Sequence, residues 1–256
     1  MDTIQERINR IRQLQAEKSE DLTERVYQCP KCRDEEGFII TREDGSEAWK
    51  FCECAERKRI ERLFKASQIT EEFRKKTFDN FDVEGRPQAV KDAYEAAKEY
   101  VADFENIRHQ RRNSIALLGV PGCGKTHLLM AIANNLMQNG VGVLYFPWVE
   151  GFNNLKANLD LSEEKVYRLQ TVPVLYIDDL FKGREKPTEF QREQLFAIVN
   201  HRYLNNLPIL ISSEWDFDRI CAFDMAIGSR LYEMCRDYAV LLQGGLELNY
   251  RLSGEE

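Results

Sequence analysis

The sequence predicts an α/β protein: a five-stranded parallel sheet flanked by helices, with a small four-cysteine hairpin ahead of it. Three observations carry this expectation. Short apolar runs alternate with helical patterns from residue 88 onward, as they do where a parallel sheet is covered by helices. A glycine-rich loop, Gly119-Val120-Pro121-Gly122-Cys123-Gly124-Lys125-Thr126, joins one of those runs to a helical pattern. Upstream, Cys29-Pro30-Lys31-Cys32 and Cys52-Glu53-Cys54 set two thiol pairs nineteen residues apart.

In chain order, Ile4, Ile8, Ile11 and Leu14 recur at helical spacing among charged residues, the pattern of an amphipathic helix. Its apolar stripe is expected either to pack on the cysteine module or to dock on a partner protein. In that module, Phe38-Ile39-Ile40 and Trp49-Lys50-Phe51 flank a turn-prone Asp44-Gly45, so a hairpin should fold the second thiol pair back on the first. Cys29, Cys32, Cys52 and Cys54 could then close a tetrahedral Zn²⁺ site with no position open to water, a structural metal for a segment with little core of its own. Cys123, Cys221 and Cys235 are scattered and read as small buried hydrophobes.

The division expected is residues 1–66 for this module, 67–87 for a polar linker carrying Gly85 and Pro87, and 88–256 for the α/β domain. A helix is expected over 88–110. Strands are expected at Ile115–Leu118, Val141–Phe146, Val172–Ile177, Ile209–Ile211 and Val240–Leu242.

A buried strand, a G-x-x-x-x-G-K-T loop and a helix in that order form a phosphate-binding P-loop. Its glycines let the backbone turn N–H groups inward, and the helix adds its positive dipole end. Gly119, Pro121, Gly122, Cys123, Gly124, Lys125, Thr126 and the following His127 are therefore expected to line an ATP site. Lys125 would neutralise the β- and γ-phosphates, and the Thr126 hydroxyl would ligate Mg²⁺.

A second element, Val172-Pro173-Val174-Leu175-Tyr176-Ile177-Asp178-Asp179, delivers two acids at the strand end that faces a ligand crevice. Asp178 is expected to hold the magnesium and Asp179 to orient or deprotonate the attacking water. The next strand ends in Ser212-Ser213-Glu214, polar groups placed to touch the γ-phosphate or its water.

The net charge of −7 excludes a protein that coats nucleic acid by bulk electrostatics. No apolar run reaches the roughly 18 residues of a membrane span, and the first residues lack the layout of a secretion signal. The expectation is a cytoplasmic protein without membrane contact.

Together with Phe73-Arg74-Lys75-Lys76-Thr77-Phe78-Asp79-Asn80-Phe81-Asp82, Ile227-Gly228-Ser229-Arg230-Leu231 and Asn249-Tyr250-Arg251, these motifs resemble AAA+ helicase loaders of the DnaC and DnaI type over nearly the whole chain. The likeness is closest to the shorter, zinc-bearing loaders of phages and mobile elements. The resemblance implies an ATPase whose first module grips the hexameric replicative DNA helicase and whose AAA+ domain helps place it on single-stranded DNA. It also implies a reduced lid, a P-loop strand beside the sensor-one strand, a sensor-one role for Ser213 or its neighbour Ser212, and a sensor-two role for Arg251. Arg230 would be an arginine finger acting on a neighbour's ATP in an ATP-dependent homo-oligomer, since a permanent planar cation suits phosphate oxygens. For DNA contact, residues 147–170 offer Trp148, Phe152, Lys156 and Arg168. The alternatives are an IstB-type regulator of a transposase and a small-molecule P-loop kinase.

Overall fold

The computed structural model describes residues 27–157, 162–183 and 186–252; the amphipathic pattern of Ile4 to Leu14 lies outside them. The chain divides into two compact units between Lys58 and Arg59, inside helix α1 (Glu53–Ala66).

The first unit is built on an antiparallel hairpin, β1 (Gly37–Thr41) with β2 (Glu47–Phe51), in which Ile39 faces Trp49. The expected turn forms at Asp44-Gly45. Gly45 sits at φ +80, and Asp44 Oδ1 accepts both the N–H and the hydroxyl of Ser46, an Asx-type closure of a tight turn.

The second unit carries α2 (Glu71–Arg74), α3 (Gln88–Ile107), β3 (Ile115–Gly119), α4 (Lys125–Gln138), β4 (Val143–Pro147), α5 (Trp148–Ala157) and α6 (Ser162–Thr171). Next come β5 (Val174–Leu180), α7 (Glu189–Leu204), β6 (Ile209–Ser213), α8 (Phe217–Phe223), α9 (Met225–Cys235) and β7 (Ala239–Leu242). The five strands β3 to β7 lie in the order β4-β5-β6-β3-β7, every pair parallel. That is the parallel sheet the alternation announced, with the P-loop strand β3 beside β6. After β7, two short 3-10 turns follow among the described residues, Leu246–Leu248 and Tyr250–Leu252.

Strand β3 shows why the sheet is buried on both faces. Ile115 and Leu117 enter one apolar cluster with Tyr100, Leu128 and Ile132, while Ala116 and Leu118 enter another with Phe146, Ile177 and Leu231. Side chains alternate along a strand, so each face needs its own helical cover. Each leucine or isoleucine fully buried in this way contributes about 1.5–3 kcal/mol.

Two strands start later than the apolar runs suggested. Val141 N–H still donates to Leu136 O at the end of α4, and Val172 N–H donates to Arg168 O at the end of α6. These valines close helices rather than open strands. Trp148 and Phe152, offered above as stacking platforms for bases, are instead core residues, 2% and 3% exposed. Their rings meet edge to face, and Trp148 also packs on Phe181. Among the described residues no helix is long and apolar enough to cross a membrane.

Candidate functional site

Strand β3 ends at Gly119, at φ +122, and the loop passes through Gly124 at φ +100 before α4 begins at Lys125. Both glycines are required twice over. Left-handed backbone disfavours a side chain, and there is no room for one: a Cβ on Gly119 would lie 2.1 Å from Leu242 O, and one on Gly124 2.6 Å from the Phe81 ring. Lys125 is 6% exposed, and its Nζ donates to Gly119 O at 2.8 Å and Val120 O at 2.7 Å. Cys123 is fully buried, with its thiol on Val120 O, and so serves as packing in the loop.

Asp178, 5% exposed at the end of β5, receives four hydroxyls. Thr126 Oγ1 (3.1 Å), Tyr176 OH (2.8 Å) and Ser212 Oγ (2.5 Å) meet Oδ1, and Tyr145 OH (3.0 Å) meets Oδ2. Burial, reinforced by the Asp178 charge, pushes the pKa values of both tyrosines up, so both remain proton donors.

Asp179 sits at φ +54 beside a register shift between Ile177 and Leu180. Its N–H donates to Ser212 Oγ at 2.7 Å. Its carboxylate pairs with Lys182 at 2.8 Å, and Lys182 lies 3.6 Å from Glu214. Burial pulls the Lys182 ammonium down, but the two carboxylates outweigh it and its pKa is raised.

The structure corrects one assignment. Ser213 is fully buried and points away from the acids, its hydroxyl donating to Leu180 O at 2.8 Å and accepting Trp215 N–H at 3.0 Å. Its neighbour Ser212 occupies the position beside Asp178. Adjacent residues of a strand face opposite sides of the sheet, so only one of the two serines can do so.

These groups open on a cleft of about 950 Å³ lined by Lys125, Thr126, Asp178, Asp179, Tyr145 and Arg251, with Pro121, Gly122 and His127 on its wall. The linker supplies much of the remaining wall, through Phe73, Lys76, Asn80, Phe81 and Arg86, a contribution the sequence reading did not assign. Helix α4 grips the linker twice. Asn134 Nδ2 donates to the carbonyls of Phe73, Arg74 and Lys76. His127 Nε2 donates to Thr77 O at 3.0 Å and meets Asn80 Oδ1 at 2.9 Å, and burial holds its pKa below the usual histidine value.

Arg251 reaches the cleft from the C-terminal turn, whose Tyr250 N–H donates to Gly122 O at 3.0 Å. Arg230 stands apart from the cleft-lining groups. On α9 it donates to Ala226 O and lies against the rings of Tyr203 and Phe196, 5.4 and 5.6 Å from their centroids.

In the first unit the sulfur atoms of Cys29, Cys32, Cys52 and Cys54 all lie within 4.8 Å of one another, and all four residues are buried. The Cys29–Cys52 and Cys32–Cys54 separations are 3.7 and 3.3 Å. Tetrahedral Zn²⁺ with bonds of about 2.3 Å spaces its sulfurs about 3.8 Å apart, so the donor set fits that ion. The Cys32 backbone N–H draws the Cys29 thiol down to about 6, while burial pushes Cys54 up to about 12. Four thiols this close cannot all ionise without a cation among them. Behind them, Asp34 accepts the N–H groups of Gln28 and Cys29 and pairs with Lys58 at 3.0 Å.

Comparison with known proteins agrees with this architecture. Residues 73–234 match the model of the bacterial DnaA ATPase domain. The chain is 48% identical to the phage-like element PBSX protein XkdC of Bacillus subtilis (strain 168), over 95% of this chain and 93% of that one. It is 29% identical to the replicative helicase loader DnaC of Buchnera aphidicola subsp. Baizongia pistaciae, over 70% of each chain. Among solved structures, that of DnaI superposes with a TM-score of 0.57 at 26% identity, covering 69% of this chain and 95% of DnaI. An ATP-binding AAA+ fold, a P-loop facing a strand-end acid and a four-cysteine cluster able to bind a metal thus stand in one chain, which belongs to the bacterial DnaA ATPase domain family and is related to loaders of the DnaC and DnaI type.

Proposed function

We propose that this chain is an ATP-dependent loader that places the hexameric replicative DNA helicase on single-stranded DNA at replication initiation. One observation carries the reading: the P-loop threonine and the strand-end acid meet, Thr126 Oγ1 to Asp178 Oδ1 at 3.1 Å, in a cleft that Lys125 also lines. The likeness to a replicative helicase loader supports it.

In this reading the backbone N–H groups from Gly119 to Thr126 and the first turn of α4 hold the triphosphate. Lys125 leaves its two carbonyls for the phosphate charge, and Arg251 approaches from the C-terminal turn. Bound Mg²⁺ supplies positive charge at the phosphates, and Thr126 and Asp178 are the residues that would hold it. Asp179 orients the attacking water, with Ser212 fixing the backbone on which Asp179 stands. Arg230, remote from its own chain's cleft, serves the nucleotide of a neighbouring copy in an ATP-dependent homo-oligomer. Cys29, Cys32, Cys52 and Cys54 are the residues that would hold Zn²⁺, which would cross-link the unit that grips the helicase. With Trp148 and Phe152 in the core, exposed Lys156 is the residue of α5 left to touch single-stranded DNA.

Affinity capture from a host extract, with and without a non-hydrolysable ATP analogue, tests the reading. Recovery of the replicative helicase, lost with Lys125→Ala, is the expected result. Recovery of a transposase in its place would move the chain to the IstB-type alternative, and unchanged ATP hydrolysis by Lys125→Ala would remove the site assignment itself.

A further inference from the structure

The two oxygens of the Asp178 carboxylate are not equivalent. Oδ1 accepts three hydroxyls, from Thr126, Tyr176 and Ser212, which more than fills the two lone pairs of one oxygen. Oδ2 accepts one, from Tyr145. The arrangement follows from the strand register. Tyr145 on β4 stands directly opposite Tyr176 on β5, their rings 5.2 Å apart and tilted by 61°. Asp178 follows Tyr176 by two residues, on the same face of the sheet. The phenols of neighbouring strands therefore converge on one carboxylate from two sides. Tyr176 is fully buried, whereas Tyr145 is 8% exposed and lines the cleft.

Three donors on Oδ1 anchor the carboxylate whether or not Tyr145 is present. What the Tyr145 hydroxyl adds is one hydrogen bond to the remaining oxygen, the one with lone-pair capacity to spare. A phenol proton and a divalent cation compete for the same lone pairs, because each is drawn to the same negative charge.

We infer that Oδ2 is the oxygen of Asp178 that faces the divalent cation, and that Tyr145 is a positioning residue whose hydroxyl sets how readily that oxygen takes it. The inference rests on the reading of Asp178 as the acid that faces Mg²⁺ in an ATP site. Tyr145→Phe keeps the ring, its edge contact with Phe73 and the backbone N–H on Ser67 O, so the change is confined to the hydroxyl group. Tyr176→Phe makes the same chemical change on the crowded oxygen, where two donors remain.

The test is binding of a fluorescent ATP analogue to the full chain as Mg²⁺ is raised from zero. For Tyr145→Phe the half-saturating Mg²⁺ concentration falls several-fold, while affinity for the analogue without Mg²⁺ stays at the wild-type value. For Tyr176→Phe the Mg²⁺ dependence is that of the wild type. A merely structural role for Tyr145 would weaken binding with and without the cation and could not tighten the Mg²⁺ response. An unchanged or raised half-saturation for Tyr145→Phe, or an equal fall in both variants, overturns the inference while leaving the ATP site standing. Wild-type binding that ignores Mg²⁺ altogether overturns the reading of Asp178 and the inference with it.

Discussion

Ser212 donates its hydroxyl to Asp178 Oδ1 at 2.5 Å and, on the same oxygen, accepts the N–H of Asp179 at 2.7 Å. One hydroxyl thus holds both acids of the site in place. A hydrogen bond to a charged group contributes about 1.5–3 kcal/mol, which on a reaction barrier is about 10- to 100-fold in rate. Ser212→Ala is expected to lower ATP turnover by that order while nucleotide still binds. Ser213→Ala should do the reverse: leaving Leu180 O and Trp215 N–H unpaired in the core costs about 1–3 kcal/mol of stability, with turnover intact. Steady-state ATPase rates beside urea unfolding midpoints separate the two, and matching losses of turnover would refute the assignment of Ser212.

That pair of serines marks where the sequence stops being informative. The P-loop and Asp178 were legible because their chemistry depends on spacing along the chain: glycines at fixed intervals, an apolar strand ending in acids. Which serine faces the acids depends on the irregularity between Ile177 and Leu180, and a local pattern does not encode a shift against a neighbouring strand. Trp148 and Phe152 illustrate a second limit. An aromatic ring suited to stacking on a base is equally suited to a core, and contacts with Phe181 decide the matter from far along the chain. The linker's place in the cleft likewise depends on Asn134 and His127, about 50 residues or more distant in sequence.

Arg202 offers a stability test outside the site. It is fully buried, and its guanidinium donates to the carbonyls of Leu169, Gln170, Val172, Pro173 and Pro208. The first two end α6, and the others lead into β5 and β6, so one side chain caps a helix and ties down two strand entries. Burial works against the charge, and the fan of carbonyls offsets it. Arg202→Met leaves those acceptors without their donor, an expected loss of about 3 kcal/mol or more. Arg202→Lys should recover only part, because an ammonium cannot reproduce the planar fork. A denaturation midpoint for Arg202→Met equal to wild type would show that the carbonyls find other donors.

His127 predicts a pH dependence. Its folded pKa lies below the ordinary value of 6.5 because of burial, so below that pH the unfolded chain binds the proton more readily than the folded one. Stability is then fully present above about 6.5 and falls as the pH drops through that value toward the folded pKa. The imidazolium keeps its N–H on Thr77 and Asn80, so the cost falls on burying its charge where the ring packs on Phe81 of the linker. Hydrogen-exchange protection factors of residues 73–82, corrected for the intrinsic pH dependence of exchange, should therefore fall between pH 7 and 5, and His127→Gln, which keeps a donor without titrating, should flatten that dependence. An equally steep profile in His127→Gln would place the titration elsewhere.

The cysteine unit should fail by a route of its own. Its hairpin leaves Phe51 74% exposed and Ile39, Ile40 and Trp49 only half-buried, so little apolar burial opposes the entropy of the chain, a difference that a metal on the four thiols would offset. Asp34 and Lys58 orient the knuckle but cannot hold four thiols together. Cys29→Ser with Cys32→Ser is expected to release a single equivalent of Zn²⁺ per chain, read with a chromogenic chelator, and to abolish capture of the helicase. Nucleotide binding, built from residues after Arg59, should remain close to wild type. Lowering the pH ought to release the metal from the unaltered chain as well, because protons compete for the thiolates. Joint loss of metal and nucleotide binding would show that the two units depend on each other, and a chain that never held zinc would leave the four thiols as packing alone.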